Sequence, residues 1–105
     1  VHDFKKFYSL IRNQFGNIKV YMIGIKPSVE RFYLDEEEKI FNNSIKLLAS
    51  EDAYLEYIDV WDSMLNEDGS RMPELYIEDG LHMNKKGYEV WTKLVRKSLL
   101  KDFNI

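Results

Sequence analysis

The 105-residue sequence contains no cysteine and only two prolines and five glycines. Without cysteine, the chain can form no disulfide, no thiolate zinc site and no cysteine nucleophile. Proline and glycine together fall well below the roughly 12% of an average protein. The chain therefore has too few turn-forming residues for a many-stranded β-sandwich or barrel.

Strong charge of one sign and long apolar runs are also lacking. The net charge is −3, and no more than two basic residues are adjacent, so the basic footprint of a nucleic-acid-binding protein is missing. The longest apolar stretch, near residues 20–25, is far shorter than the ~20 residues that cross a bilayer. We expect no nucleic-acid partner, no membrane span and no signal peptide in this chain, which leaves its localisation open.

The residues that are present are sufficient for one folded core. Hydrophobic residues make up 45% of the chain and charged residues 31%, a composition typical of a folded domain rather than a disordered segment. The length corresponds to one small domain. Because the first residue is Val1 rather than methionine, we expect the natural start to lie upstream.

Hydrophobic periodicity predicts the element order helix, strand, helix, strand, helix. The predicted helices cover residues 3–15, about 36–50 and 85 to about 101, and the predicted strands cover 18–25 and 55–60. Gly16 ends the first helix, and Asn84 is a suitable N-cap for the last. The first strand is almost continuously apolar, which is typical of a parallel strand buried on both faces. The spacing of the strands predicts a right-handed crossover and a parallel α/β sheet.

Two parallel strands are too few for a complete sheet. Parallel sheets need helices on both faces and several strands, and an apolar strand with an unpaired edge invites another chain. We therefore expect a cover from outside these residues. It would be either the N-terminal part of the same protein or a second copy paired through the exposed strand edge.

Asp79 and His82 form the most informative pair of polar residues. Three residues apart on a turn before the last helix, they can hydrogen-bond. In a Ser-His-Asp site the carboxylate accepts the imidazole Nδ1–H, which leaves Nε2 to take the proton of the nucleophile. Taken alone, an Asp-x-x-His segment is more often a loop histidine beside a solvated acid than a catalytic pair. We expect no metal site here, because two ligands do not complete one.

Several sequence blocks, taken in order, resemble the SGNH (GDSL-type) esterases and lipases, in particular the branch similar to platelet-activating-factor acetylhydrolase. The resemblance covers almost the whole chain. The blocks are Ile23-Gly24-Ile25-Lys26-Pro27-Ser28 with Arg31, Tyr57-Ile58-Asp59-Val60-Trp61 with Met64-Leu65 and Asp68-Gly69, and Pro73-Glu74-Leu75-Tyr76, Asp79-Gly80-Leu81-His82-Met83-Asn84, Gly87-Tyr88 and Trp91.

The resemblance implies that residues 1–105 are the C-terminal half of one flavodoxin-like, three-layer α/β/α hydrolase domain. It assigns Asp79 and His82 to the catalytic triad of an ester hydrolase that acts through an acyl-enzyme. The family's nucleophilic serine lies in an N-terminal Gly-Asp-Ser block and its oxyanion donors in two middle blocks, and neither pattern occurs in this sequence. We therefore expect this chain alone to be inactive. The implied substrate is a small acyl or acetyl ester, with no cofactor.

Alternatives remain for one residue and for the whole chain. Arg31 follows the first strand and either belongs to an ordinary turn or lies at the rim of a substrate site, since ligands bind beyond the carboxyl ends of parallel strands. The chain itself could be a non-catalytic α/β binding module that retains half of the hydrolase fold. Phosphate chemistry is disfavoured, because the sequence has no glycine-rich phosphate loop.

Overall fold

The computed structural model describes residues 2–103 as a mixed α/β fold with three helices and two strands. The elements are α1 (His2–Phe15), β1 (Val20–Ile23), α2 (Asp35–Ser50), β2 (Leu55–Ile58) and α3 (Lys85–Phe103). Short 3-10 turns occur at Phe32–Leu34, Asp62–Met64 and Pro73–Leu75. The predicted order of elements is confirmed. Both strands are shorter than predicted, and α3 continues slightly further.

The two strands pair in parallel, as predicted. Val20 lies opposite Leu55, and Ile23 lies opposite Ile58. The ladder continues for one more hydrogen bond, from the Gly24 N–H to the Ile58 carbonyl at 2.9 Å. Beyond that point the chain leaves the sheet towards Pro27, which has no amide to donate. The carboxyl ends of both strands therefore open onto the same edge of the sheet.

The strand β1 is less buried than its sequence predicts. All four of its residues are half-buried, whereas β2 buries Leu55 and Ile58. Within residues 2–103, β1 pairs with β2 only. Helix α1 buries none of its residues in this chain, and Phe7 remains 60% exposed. The prediction that β1 is buried on both faces is therefore wrong for residues 2–103, where β1 pairs with β2 alone and none of its residues is fully buried.

The apolar stripe of α3 also remains uncovered in part. Its apolar residues Tyr88, Trp91, Val95 and Leu99, together with Thr92 and Arg96, line an open groove of about 450 Å³. Trp91 also packs against the buried cluster of the molecule, but Tyr88 is 58% exposed. The groove is therefore an apolar surface that the described part of the chain leaves open.

A cluster of buried hydrophobic residues lies between the segment after β2 and the start of α3. It consists of Met64, Leu75, Tyr76 and Met83, with Met72, Val90 and Trp91 packed around it. Leu75, Tyr76 and Met83 flank the turn that carries Asp79 and His82. The turn that carries the candidate site therefore begins and ends at residues of the buried core.

The acidic first turn of α2 makes contacts within the fold. Asp35 pairs with Arg71, whose Nη2 lies 2.5 Å from Asp35 Oδ2. Glu38 is half-buried, and among residues 2–103 its Oε1 atom finds no hydrogen-bond partner. Burial raises the pKa of Glu38, and the neighbouring Asp35 carboxylate raises it further. The start of α2 is thus joined to the loops on the same edge of the sheet as the candidate site.

None of the helices in residues 2–103 combines the length and the apolar character needed to cross a membrane.

Candidate functional site

Asp79 and His82 lie on a tight turn between the core residues Tyr76 and Met83. These two core residues form an isolated antiparallel bridge that closes the base of the turn. Inside it, the Ile77 N–H donates to the His82 carbonyl at 2.9 Å. Gly80, at the apex, has a φ of +66°, a left-handed conformation that favours glycine. Backbone hydrogen bonds and the glycine at the apex thus define the turn without side chains from other parts of the chain.

The Asp79 carboxylate holds both the imidazole and the backbone of His82. Its Oδ2 lies 2.5 Å from the His82 Nδ1. Its Oδ1 accepts the backbone N–H groups of Leu81 and His82, each at 2.9 Å. With both oxygens engaged, the carboxylate has one orientation relative to the ring.

The free side of the imidazole faces outward. The His82 side chain is 72% exposed and that of Asp79 is 41% exposed. Because Nδ1 is taken by Asp79, the other ring nitrogen, Nε2, is the one left for a partner. Within residues 2–103 no hydrogen bond to Nε2 is formed. The arrangement presents a proton acceptor on an exposed ring.

The ionised Asp79 carboxylate favours the imidazole tautomer that carries its proton on Nδ1. The hydrogen bond from His82 and the two backbone N–H groups lower the pKa of Asp79 to about 2. At neutral pH the carboxylate is therefore ionised and can accept the Nδ1–H of the imidazole. In the tautomer that carries its proton on Nδ1, the lone pair resides on Nε2, where a general base needs it.

The loop after β1 packs against the turn. The Gly80 carbonyl accepts the N–H groups of Val29 and Glu30 at 2.9 and 3.0 Å. The Tyr76 hydroxyl donates to the Pro27 carbonyl at 2.5 Å. These contacts bring the carboxyl end of β1 to the candidate site, where open α/β sheets bind their ligands.

Asn84 caps α3, as its sequence position predicts. Its Oδ1 accepts the Gly87 N–H at 3.1 Å, and its amide donates to the Glu74 carbonyl at 2.7 Å. Gly87 is required here, because a Cβ at this position would lie 2.5 Å from the Leu75 carbonyl oxygen. His82 consequently stands just before the first turn of a firmly anchored helix.

Arg31 lies on the loop that contacts the turn, directly after Glu30. Its backbone N–H donates to Ser28 Oγ at 3.0 Å, so this segment is an ordinary serine turn. The Arg31 residue is exposed, whereas Ser28 is only 2% exposed. The structure thus shows both an ordinary turn and an exposed Arg31 on the loop that contacts the His82 turn.

Two contacts near the site were not foreseen from the sequence. Lys26 donates from Nζ to the Leu81 carbonyl at 2.7 Å, and Arg71 donates from Nε to the Ser28 carbonyl at 2.9 Å. Both join residues more than 40 positions apart. The only signal for Lys26 was its place directly after an apolar strand, where a cation borders the ligand edge of a parallel sheet.

No group of three or more histidine, cysteine, aspartate or glutamate residues in the described chain is arranged to hold a metal ion. Asp79 and His82 therefore stand as a hydrogen-bonded pair. Their geometry suits proton transfer through an exposed ring nitrogen.

Comparison with known proteins finds a solved structure with a similar fold but no matching family. No family model matches the sequence. The N-acylneuraminate cytidylyltransferase of Escherichia coli O18:K1:H7 (strain RS218 / NMEC) is 27% identical over 86 residues, which cover 82% of this chain and 20% of that protein. A solved structure from Streptococcus pneumonia, provisionally described as a platelet activating factor, matches with a TM-score of 0.80 and 23% identity. The match covers 93% of this chain and 49% of that one, so this chain has the fold of about half of the solved protein.

Proposed function

We propose that residues 1–105 form the C-terminal portion of a serine ester hydrolase of the SGNH type. In this proposal His82 is the general base and acid, and Asp79 orients it. The observation that carries the proposal is the Asp79–His82 pair itself, joined through Nδ1 at 2.5 Å on an exposed ring. The likeness to the solved structure supports the fold on which such a pair would operate.

The chemistry follows from the free ring nitrogen. A serine hydroxyl transfers its proton to His82 Nε2 while its oxygen attacks the ester carbonyl, and Asp79 stabilises the imidazolium that results. When the tetrahedral intermediate collapses, His82 returns the proton to the departing alkoxide, leaving an acyl-serine. Water then repeats the relay and releases the carboxylic acid. No step requires a cofactor or a metal.

The nucleophile is proposed to come from outside these residues. The Oγ of the buried Ser28 accepts the backbone N–H of Arg31, and no serine of the chain follows a Gly-Asp pair. The remainder of the domain would lie on two surfaces. One is the half-buried strand β1, whose edge away from β2 has no partner strand in residues 2–103, and the other is the open groove on α3. We propose the N-terminal portion of the same protein as that remainder.

The substrate is proposed to be a small acyl or acetyl ester. Donors for the developing oxyanion, like the serine, would come from the N-terminal portion. Arg31 is proposed as a rim residue, since its exposed side chain lies on the loop that contacts the His82 turn. The 105 residues alone should not turn over an ester, because a base without its nucleophile leaves at most residual catalysis.

A serine-directed fluorophosphonate tests the assignment. The product of the complete gene is treated with the reagent, digested, and the modified serine is identified by mass spectrometry. We expect the modified serine to lie outside residues 1–105 and labelling to fall strongly in His82→Ala. A modified serine within these residues, or labelling at the same rate in His82→Ala, would contradict the proposal.

The alternative is a non-catalytic α/β binding module, favoured by the lack of any Gly-Asp-Ser segment in this chain. The reading frame upstream of Val1 distinguishes the two. A strand followed by Gly-Asp-Ser within the ~100 residues that complete a standard domain supports the hydrolase, and its absence supports the module. The nucleotidyl transfer named for the curated relative is not proposed here, since the matched segment is 20% of that protein.

A further inference from the structure

Lys26 contacts the turn that carries His82 from the loop after β1. It lies between the strand and Pro27, and its ammonium donates to the Leu81 carbonyl at 2.7 Å. Leu81 stands between Asp79 and His82, and its carbonyl belongs to the peptide unit whose nitrogen is that of His82. Lys26 therefore holds the peptide bond immediately before the histidine.

That peptide unit is fixed from two directions. Its oxygen accepts the Lys26 ammonium, while its N–H, on His82, donates to Asp79 Oδ1 at 2.9 Å. The Cα–Cβ bond of His82 starts from this plane, so rotation of the plane would move the imidazole away from the Asp79 carboxylate. Among residues 2–103, the loop after β1 makes hydrogen bonds to two residues of the turn. Its backbone N–H groups donate to the Gly80 carbonyl at the apex, and the Lys26 ammonium alone donates to the Leu81 carbonyl.

The surroundings of Lys26 strengthen the contact. Lys26 is half-buried, and burial lowers the pKa of its ammonium. The carboxylates of Glu38 and Asp79 attract it, and the Arg31 guanidinium repels it. A charged donor in a partly desolvated site makes a stronger hydrogen bond than a solvent-exposed one.

We propose that Lys26 is a positioning residue, which holds the Leu81–His82 peptide plane so that the His82 imidazole remains paired with Asp79. It touches no reacting atom. The role of the pair in ester hydrolysis rests on the proposed function, whereas the effect of Lys26 on the pair is a property of this chain alone.

The test measures the Nδ1 proton of His82 by NMR in the product of the complete gene. Lys26→Met removes the charge and keeps an aliphatic stem, and we expect the exchange of this proton with water to become roughly tenfold faster, the usual effect of losing a hydrogen bond to a charged group. Lys39→Met is the matched control. Lys39 is an exposed lysine of α2 whose ammonium lies 5.5 Å from the Trp61 ring, and its removal should leave the His82 proton unchanged.

Hydrogen exchange of the β2 amide protons distinguishes a local effect on His82 from a general loss of stability. The protection of these amides should be unaltered in Lys26→Met. If that variant does not fold, Lys26→Gln, which keeps a neutral donor, is measured in its place with the same expectation of faster exchange. An unchanged His82 proton in the folded variant overturns the role of Lys26 and leaves the Asp79–His82 pair intact. A wild-type chain with no protected Nδ1 proton overturns both this inference and the proposed function.

Discussion

The side chain of Asn42, on α2, hydrogen-bonds both backbone groups of Ile25. Its Oδ1 accepts the Ile25 N–H at 2.8 Å, and its Nδ2 donates to the Ile25 carbonyl at 2.9 Å. Asn42 is buried, and its side chain takes the place of a neighbouring strand for the backbone groups of Ile25, which lies just beyond the sheet ladder. The pair fixes the direction in which the chain leaves β1, and with it the place of Lys26 beside the turn.

Replacing Asn42 by alanine should therefore destabilise the chain. Asn42→Ala leaves the N–H and carbonyl of Ile25 without their partner, and we expect a loss of about 2 kcal/mol in the free energy of unfolding. Urea denaturation monitored by tryptophan fluorescence measures it. Asn43→Ala, which changes the neighbouring exposed asparagine, should cost less than about 0.5 kcal/mol. Equal losses in the two variants would show that the Asn42 bonds do not contribute as stated.

The apex of the turn should not tolerate a side chain. Gly80→Ala places a residue at a φ of +66° with its Cβ 3.2 Å from Val29 Cβ, next to the loop that the Gly80 carbonyl anchors. Gly69→Ala is a suitable control, since its φ is +86° but nothing lies within 4 Å of the added atom. Each should cost about 1 kcal/mol for the left-handed backbone. Crowding of Val29 should add about 1 kcal/mol in Gly80→Ala only, as measured by the urea midpoint.

The titration of Asp79 reports on its bond with His82. The folded-state pKa of about 2 lies below the ordinary aspartate value of 3.8, so this group contributes stability above about pH 4 that is lost as the pH falls through about 2. His82→Ala removes the largest cause of the lowered pKa. We expect the Asp79 carboxyl carbon, followed by NMR, to titrate at a higher pH in that variant while the backbone N–H groups still keep it below 3.8. An unmoved midpoint would mean that the ring does not hold the carboxylate.

The open groove on α3 should make the isolated chain associate. Exposed apolar surfaces and free strand edges drive pairing between copies when their natural cover is missing. Size-exclusion chromatography with light scattering should show a mass that rises with concentration. Val95→Lys, inside the groove, should reduce this association, and Glu89→Lys, an exposed change on the same helix outside the groove, should not. A wild-type chain that is monomeric at every concentration would contradict the interpretation of these surfaces as uncovered.

The features predictable from the sequence are those fixed over short distances along the chain. Hydrophobic periodicity indicated the helices and the parallel pair of strands, and the three-residue spacing of Asp79 and His82 indicated their hydrogen bond. The Asn84 cap is equally local. Each of these depends on groups within a few residues of one another, so backbone geometry alone brings them together.

The features that the sequence did not predict depend on tertiary packing. The contact of Lys26 with Leu81 spans 55 positions and the Arg71 pair with Asp35 spans 36, and no pattern in the sequence specifies either. The predicted burial of β1 failed for a different reason. Its apolar residues are suited to a sheet with cover on both faces, and residues 2–103 supply only part of that cover.

Hydrolysis of p-nitrophenyl acetate by the product of the complete gene is the most direct test of the role assigned to His82. We expect turnover by the wild-type product, a fall in kcat on the order of 10³-fold or more in His82→Ala, and no His82-dependent turnover by the 105-residue chain alone. Turnover by the complete product that His82→Ala leaves unchanged would contradict the role of His82 as the general base.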